Sequence, residues 1–570
     1  MSKLRKFITV AIIALAAFIA YGLWTLPSPK DKDYSGFSAA RVAEDIAVIS
    51  KDFHSVEEPE NKIVVRDYLI ERLKSLGADV SLYNYDSTYS ERVDYPVDLS
   101  NIYCEFSPQN RDSTYLMLVA HYDSRSTNIV RGDTLNSYGA ADDGYGLGTI
   151  LELLRLAQEY RNEWNQGLKI LITDGEEIRM AGMQHQYDNN PEIFDNVGLL
   201  INLEARGNKG PVLLFETSDN NRELINLYKE SANYPFTYTL TSVVYKFIPN
   251  YTDFTVVRDT ICGINFSTID DINHYHTDLD NYENISHKSI QHYGEQIAPM
   301  VHKYLTDKKY SSVDALKSDS DNIAFTIPLL GMFNFTKGSY YLLNAIVFAL
   351  FCIAFSISLI RGRVKPLSIL KSSGVIFLVG LVALVVGELV AYLVTVIGGS
   401  PESFKLFGVI QGFLCDGVVM IVTISLLVLL TILLYVKKGK KIAIQASSGS
   451  IRRSASSSAT AKFAYNTLYG ALLLLLVLSA VLLFAIGENL FTLVPLALAL
   501  CGVILWRVTT LRLFLIVSVA LILLHSFSFL YCLAVALTLG AFGVVVMIAF
   551  FDLMVLIPLI DLYVRRDKAL

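Results

Sequence analysis

KILITDGEEIR, residues 169–179, is an apolar run that ends abruptly in a glycine and two adjacent acids, Glu176 and Glu177. A short run rich in branched residues, closed by a turn residue, has the pattern of a strand buried on both faces. The same form recurs on either side of it. TYLMLVA (114–120) leads into His121-Tyr122-Asp123, and VGLLINL (197–203) leads into Glu204. PVLLF (211–215) and ICGINFS (261–267) are further strand-like runs. Helical patterns stand among them at 59–78, at 144–159 and at 287–304. The first sets Ile63, Val64, Tyr68, Leu69, Leu73 and Leu76 at helical spacing and stops at Gly77. Strands alternating with helices predict an α/β domain with a mixed, mainly parallel central sheet flanked by helices. Ligands collect beyond the carboxyl ends of such strands, where His121, Glu176, Glu177 and Glu204 fall.

Two further motifs complete an inventory. YGAADDGYG (138–146) carries Asp142 in a turn of small residues that opens a helix, and INHYHTDLD (272–280) carries His276. His121, Asp142, Glu177, Glu204 and His276 offer what two close divalent ions need: imidazoles, terminal carboxylates and one carboxylate to share. Glu176 is left over as a general base. Asp123 is a fitting acceptor for the second nitrogen of a metal-bound His121. Each motif alone has a plainer reading. Asp142 or Asp143 could cap a helix, residues 174–177 could be a solvated acidic turn, and a lone histidine carries little information.

The chain of 570 residues is 52% hydrophobic and 18% charged, too apolar for one soluble domain. Residues 7–26 are an uncharged apolar stretch of spanning length behind Lys3, Arg5 and Lys6, read as an uncleaved signal anchor. Further apolar spans fall at about 340–360, 373–397, 406–436, 464–486, 489–506, 511–527 and 529–551, with a tail at 552–564 that could hide one more. The expected domains are therefore a 1–26 anchor, a soluble 27–325 domain and a 326–570 multispan α-helical membrane domain. Residues 326–570 hold 18 basic and seven acidic residues, which leaves 27 basic and 47 acidic in 27–325. A soluble domain of net charge −20 excludes nucleic acid as a partner. Basic clusters between spans put the loops that carry them in the cytoplasm and the soluble domain outside it. ASSGSIRRSASSSATAK (446–462) reads as a mobile cytoplasmic linker. Cys104 and Cys262 could pair, but no cysteine cluster of structural-zinc spacing exists.

Five such motifs in this order, each at a strand end, resemble peptidase family M28 of zinc aminopeptidases and carboxypeptidases, over about residues 40–306. A soluble domain followed by many spans, with NLEARG where soluble relatives carry Asp, resembles the branch of vacuolar membrane proteases and endoplasmic-reticulum metallopeptidases. The resemblance implies two zinc ions per chain, one held by His121, Asp142 and Glu204 and the other by Asp142, Glu177 and His276. It further implies Glu176 as general base toward a water bridging the zinc ions, Asp123 as orienter of His121, and Tyr275 as a donor to the scissile carbonyl. Asn265, where many membrane relatives show Asp, and the extra His274 are departures. The expected partners are a peptide substrate and the lipid bilayer. The expected location is a bacterial inner membrane with the domain facing the periplasm, or else a vacuolar or endoplasmic-reticulum membrane. Three other functions are compatible with parts of the sequence: an inactive binding module on this fold, a single-zinc acyltransferase of the glutaminyl cyclase type, and a transporter. The last draws on Glu388, Asp416, His525 and Asp552 in or near the spans.

Overall fold

A computed structural model of the protein covers residues 7–16, 26–110, 113–245, 251–413, 416–447 and 454–565. The apolar runs become a seven-stranded sheet. Its strands are β1 (Val80–Ser90), β2 (Val93–Phe106), β3 (Tyr115–His121), β6 (Gly167–Thr173), β7 (Val197–Ala205), β8 (Lys209–Thr217) and β9 (Gly263–Asp270). Two three-residue strands, β4 (Asn128–Val130) and β5 (Asp133–Leu135), form a separate hairpin. The sheet order is β1-β2-β6-β3-β7-β9-β8. β6, β3, β7 and β9 run parallel at its centre. β2 joins β6 and β8 joins β9 antiparallel, with β1 outermost beside β2. The parallel strands therefore present their carboxyl ends at one edge, where the acids and histidines follow.

Helices cover both faces of this sheet: α2 (Ala39–Ile49), α3 (Pro59–Ser75), α4 (Gly144–Glu159), α5 (Ala181–Asn189), α6 (Arg222–Ser231), α7 (Thr239–Tyr245), α8 (Asp253–Val257) and α9 (His287–Thr306). Period-2 alternation decides which side each strand residue serves. Leu116, Leu118, Ile170, Ile172, Leu199 and Ile201 pack in one core with α2, α4 and α9. Met117, Val119, Leu171 and Leu200 face Met183 of α5 and Phe254 and Val257 of α8. In α3 the buried face differs from the expected one. Val65, Leu69 and Leu73 are buried with Lys62, while Ile63 and Val64 are 44% and 66% exposed. The reason is an ion pair: Lys62 Nζ reaches Asp174 at 2.8 Å and 3.1 Å and turns that face inward. Asp174 also accepts from Ser100 N and Tyr122 Oη, so it anchors the turn after β6 and does not face the site. Lys62→Met would strand a buried carboxylate and is expected to cost about 3–5 kcal/mol. A shift in the thermal melting of this unit measures it.

The chain divides into two compact units, Thr25–Thr326 with Leu330–Lys337, and Met1–Trp24 with Ile327–Leu329 and Gly338–Leu570. Later in the chain, β10 (Asn322–Ile327) and β11 (Gly331–Thr336) form a two-stranded hairpin that straddles the end expected for the soluble domain. Of the expected first span, the described part is the helix α1 (Phe7–Ala16). The remainder and Lys3, Arg5 and Lys6 lie outside the described residues. After the hairpin come α10 (Lys337–Ile360), α11 (Pro366–Ile397), α12 (Asp416–Ser447), α13 (Ser454–Ile486), α14 (Leu490–Thr509), α15 (Leu513–Leu537) and α16 (Phe542–Val564). Among the described residues, six helical stretches are long and apolar enough to cross a membrane. The last of them, Leu513–Val564, contains both α15 and α16. Each of these two helices is about 35 Å long or more, enough to cross by itself.

Several boundaries differ from the expected ones. The span placed at 406–436 starts as a helix at Asp416, because Phe407 and Gly412 take left-handed φ of 56° and 84°. It runs on to Ser447, so Lys437–Lys441 lie within it. The break placed near 528 lies at Thr538–Ala541, where Thr538 has φ 52°. Residues 552–564 are thus the second half of α16 and no separate span. The Ser-rich stretch is helical from Ser454 onward, since its alanines favour a helix. Its residues 448–453 lie outside the described ones. Cys104 and Cys262 are both free. Glu388 of α11 accepts from Gly543 N of α16 at 3.0 Å, a tie between helices.

Candidate metal centre

His121 is the last residue of β3, and Glu204 is the last but one of β7, the neighbouring strand. Glu176 and Glu177 sit in the turn that follows β6, and His276 in the loop after β9. Asp142 lies just before α4, whose N-cap is Asp143, its Oδ1 accepting from Gly146 N at 3.1 Å. The capping role therefore falls to Asp143 and leaves Asp142 to face the site. Two backbone positions need glycine for this. Gly139 has φ +65°, and Gly175, at φ +70°, has Leu99 Cδ2 2.9 Å from where a Cβ would stand. His276 holds a left-handed φ of 59° without being glycine. Such a conformation costs of order 1–3 kcal/mol and persists only where the surroundings impose it.

These side chains form two groups that meet at Asp142. His121, Asp142 and Glu204 bring one ligand atom each within 4.8 Å of one another, and so do Asp142, Glu177 and His276. Asp142 Oδ1 is 3.3 Å from His121 Nε2, which stands 3.9 Å from Glu204 Oε2. Asp142 Oδ2 is 3.1 Å from His276 Nε2, which stands 2.7 Å from Glu177 Oε1. Ligands at about 2.0 Å around a tetrahedral zinc stand roughly 3.3 Å apart, so both groups have the right spacing. Asp142 Oδ2, Glu177 Oε1 and His276 Nε2 are buried and crowd one another, yet none makes an aligned hydrogen bond among the described residues. Buried polar atoms without partners are costly. A cation between them removes that cost, so the donor set fits zinc.

The remaining oxygens are held by supports. Arg125 Nη1 donates to Glu177 Oε2 at 3.1 Å and to the Glu177 carbonyl at 2.8 Å. Asn202 Nδ2 donates to Glu204 Oε1 at 2.9 Å and to Asn265 Oδ1 at 3.1 Å. Asn265 donates in turn to Glu216 Oε2, and Arg258 pairs with Glu216 Oε1. An aspartate at 265 would set a second carboxylate against Glu216, which gives the Asn265 departure a physical reason. Asp280 accepts from Ala141 N at 2.7 Å and from Asp142 N at 3.2 Å and pins that turn. Asp123 departs from its expected geometry. Its backbone carbonyl, at 3.0 Å, meets His121 Nδ1, and its carboxylate stands 3.6 Å away. That carboxylate accepts from Glu176 N and Glu177 N at 3.0 Å and 3.1 Å. Tyr275 stacks on the His276 ring, centroids 3.6 Å apart. His274 stands 3.8 Å from Asp271.

The electrostatics follow from crowding acids in a buried space. Burial pushes the Glu176 carboxyl well above its usual range, with Glu204 adding to the effect and His121 opposing it. Burial does the same to Glu204, again against the pull of His121. Burial would raise Glu177 too, but His276 and Arg125 override it and hold that carboxyl below its usual range. Burial would depress His121, but Asp123 and Asp142 outweigh it and raise the imidazole. A cation in either group would offset the repulsion that drives Glu204 and Glu176 toward neutrality.

Arg125, Asn202, Glu216 and Arg258 were not singled out in the sequence. Asn202 was within reach: it stands two residues before Glu204, on the same strand face. Pairing across strands, as in Asn265 to Glu216, leaves no mark in a single sequence.

The fold is an α/β domain whose mainly parallel sheet brings two acid–histidine groups together at its strand ends. Residues 101–301 match the model of Peptidase family M28. The chain is 26% identical over 342 residues to endoplasmic reticulum metallopeptidase 1 of Mus musculus, covering 56% of this chain and 36% of that protein. It is 27% identical over 345 residues to the vacuolar membrane protease of Schizosaccharomyces pombe, covering 56% and 37%. The chain thus spans about a third of the length of these relatives. Among solved structures, it is similar to Porphyromonas gingivalis glutaminyl cyclase (18% identity, 47% of this chain, 99% of that chain, TM-score 0.39). It is similar also to a Zn-dependent exopeptidase from Parabacteroides distasonis (19% identity, 48% and 99%, TM-score 0.37).

Proposed function

We propose that the protein is a membrane-anchored metallopeptidase that uses two zinc ions to remove residues from the ends of peptides, most simply as an aminopeptidase. The observation that carries this reading is Asp142, whose two oxygens face two separate groups of a histidine and an acid. In it, His121, Asp142 and Glu204 hold one ion, and Asp142, Glu177 and His276 hold the other. Zinc in these positions supplies Lewis-acid chemistry that activates water and a carbonyl near neutral pH.

The chain's own residues do the rest. Glu176 takes a proton from the attacking water and returns it to the leaving amine. Asp123, bonded to the backbone of residues 176 and 177, keeps that carboxylate aimed. The Tyr275 hydroxyl donates to the oxygen that gains charge. Arg125 and Asn202 each hold one oxygen of a ligand carboxylate, so the other stays free for metal.

Free and N-acetylated copies of one peptide library test the direction of attack. Purified full-length protein is expected to release single residues from free N-termini and to leave blocked peptides intact. Equal cleavage of both sets would remove the aminopeptidase reading.

The same proposal places the peptidase unit outside the cytoplasm, in a bacterial envelope facing the periplasm. Eight spans then return the C-terminus to the cytoplasm. Reporters fused at Ser218 and at Ser447 are expected on opposite sides of the membrane, with one after Leu570 on the side of Ser447. Reports of one side from Ser218 and Ser447 would contradict this topology.

A further inference from the structure

Arg206 follows Glu204 by two residues, just past the end of β7, where alternation keeps it on the Glu204 face. Its backbone is fixed to β9: the amide donates to Thr268 O at 2.9 Å and to Ser267 Oγ at 3.1 Å. Its side chain is not spent in the same way. Nε is buried and finds no acceptor among the described residues. The neighbouring cations differ: Arg125 holds Glu177, Arg258 holds Glu216, Lys62 holds Asp174 and Lys209 holds Asp271. A second buried donor stands nearby. Tyr245, the last residue of α7, is 8% exposed with its ring against Phe215, and its hydroxyl has no partner among the described residues. The two belong to one neighbourhood. Tyr245 packs on Phe215 of β8, β8 pairs with β9, and β9 holds the Arg206 backbone at Thr268.

A buried Arg206 Nε and a buried Tyr245 hydroxyl, both without an acceptor among the described residues, are two donors awaiting one acceptor. The planar fork of arginine matches a carboxylate, and a buried donor left unpaired in the free protein gains most from a charged acceptor. A free ammonium group is repelled from the same place. We propose that Arg206 and Tyr245 form a subsite beside the metal centre that takes a carboxylate of the peptide substrate. The carboxylate has two sources, an acidic side chain next to the scissile bond or the free C-terminus of a short peptide. The proposal rests on the peptidase reading and narrows it to anionic substrates.

The test uses full-length, zinc-loaded protein in detergent and peptides of one length that begin with Glu, Gln or Leu. Each is made with a free and an amidated C-terminus. A preference of about tenfold or more in kcat/KM for Glu over Gln assigns the side chain, and one for free over amidated assigns the terminus. Arg206→Met is expected to erase the preference through KM while the neutral, amidated Leu peptide changes by less than about threefold. Arg206→Lys should restore part of it, and Tyr245→Phe should weaken it by a smaller factor. No preference in the native protein, or one that survives Arg206→Met, overturns the subsite. Calorimetry on the Glu176→Gln protein separates this from the peptidase reading, because it measures binding without turnover. Tighter binding of the carboxylate-bearing peptide, lost on adding Arg206→Met, supports the subsite even if no peptide is hydrolysed. Equal binding of carboxylate and carboxamide peptides refutes it even if hydrolysis is fast.

Discussion

Glu176→Gln is expected to lower kcat by on the order of 10²–10⁴-fold while leaving the zinc content of the protein unchanged. The substitution keeps the shape of the side chain and removes its capacity to take a proton. Glu176 N still donates to Asp123 Oδ1, so the turn that carries Glu177 keeps its position. Glu177→Ala, one residue away, is expected to behave differently. It deletes the oxygen 2.7 Å from His276 Nε2 and leaves Arg125 without its acid, so the metal content itself should fall. Steady-state kinetics with metal analysis of both variants checks the pair. Full turnover in Glu176→Gln would pass the role of base to another acid.

Asp142→Ala carries the second large effect. Asp142 is the residue common to both groups, and its two oxygens face different histidines. Its loss is expected to weaken both ions at once and to cost activity on the order of 10³-fold or more. Removing an outer support such as Asn202 should cost only about 10–100-fold. The contrast is read by titrating zinc into metal-free variants. An Asp142→Ala protein that still binds two ions at native affinity would mean that the groups do not share this carboxylate.

Much of this centre was legible before any coordinates. His121 and Glu204 each close a mainly apolar run, and a buried parallel strand puts the residues at its carboxyl end at one edge of the sheet. The choice between Asp142 and Asp143 was not legible, because both precede a helix and either could cap it. The bond that Gly146 N donates to Asp143 Oδ1, and the two histidines that face Asp142, separate them. The Lys62–Asp174 pair was hidden for another reason. A buried lysine on a helix breaks the apolar stripe that periodicity detects, so the spacing alone points to Ile63 and Val64 as inner-face residues although both are exposed. The spans after residue 337 were legible as a series from hydropathy, but their ends were not. Phe407 and Thr538 adopt left-handed conformations that nothing in an apolar composition marks.

Zinc per chain, measured against activity, tests the central claim most directly. Metal-free full-length protein is titrated with zinc while bound metal and hydrolysis of a free peptide are followed together. Two equivalents bound, with activity complete only at the second, is the expected result. Full activity at one bound equivalent, with no second site filled, would contradict the two-ion centre.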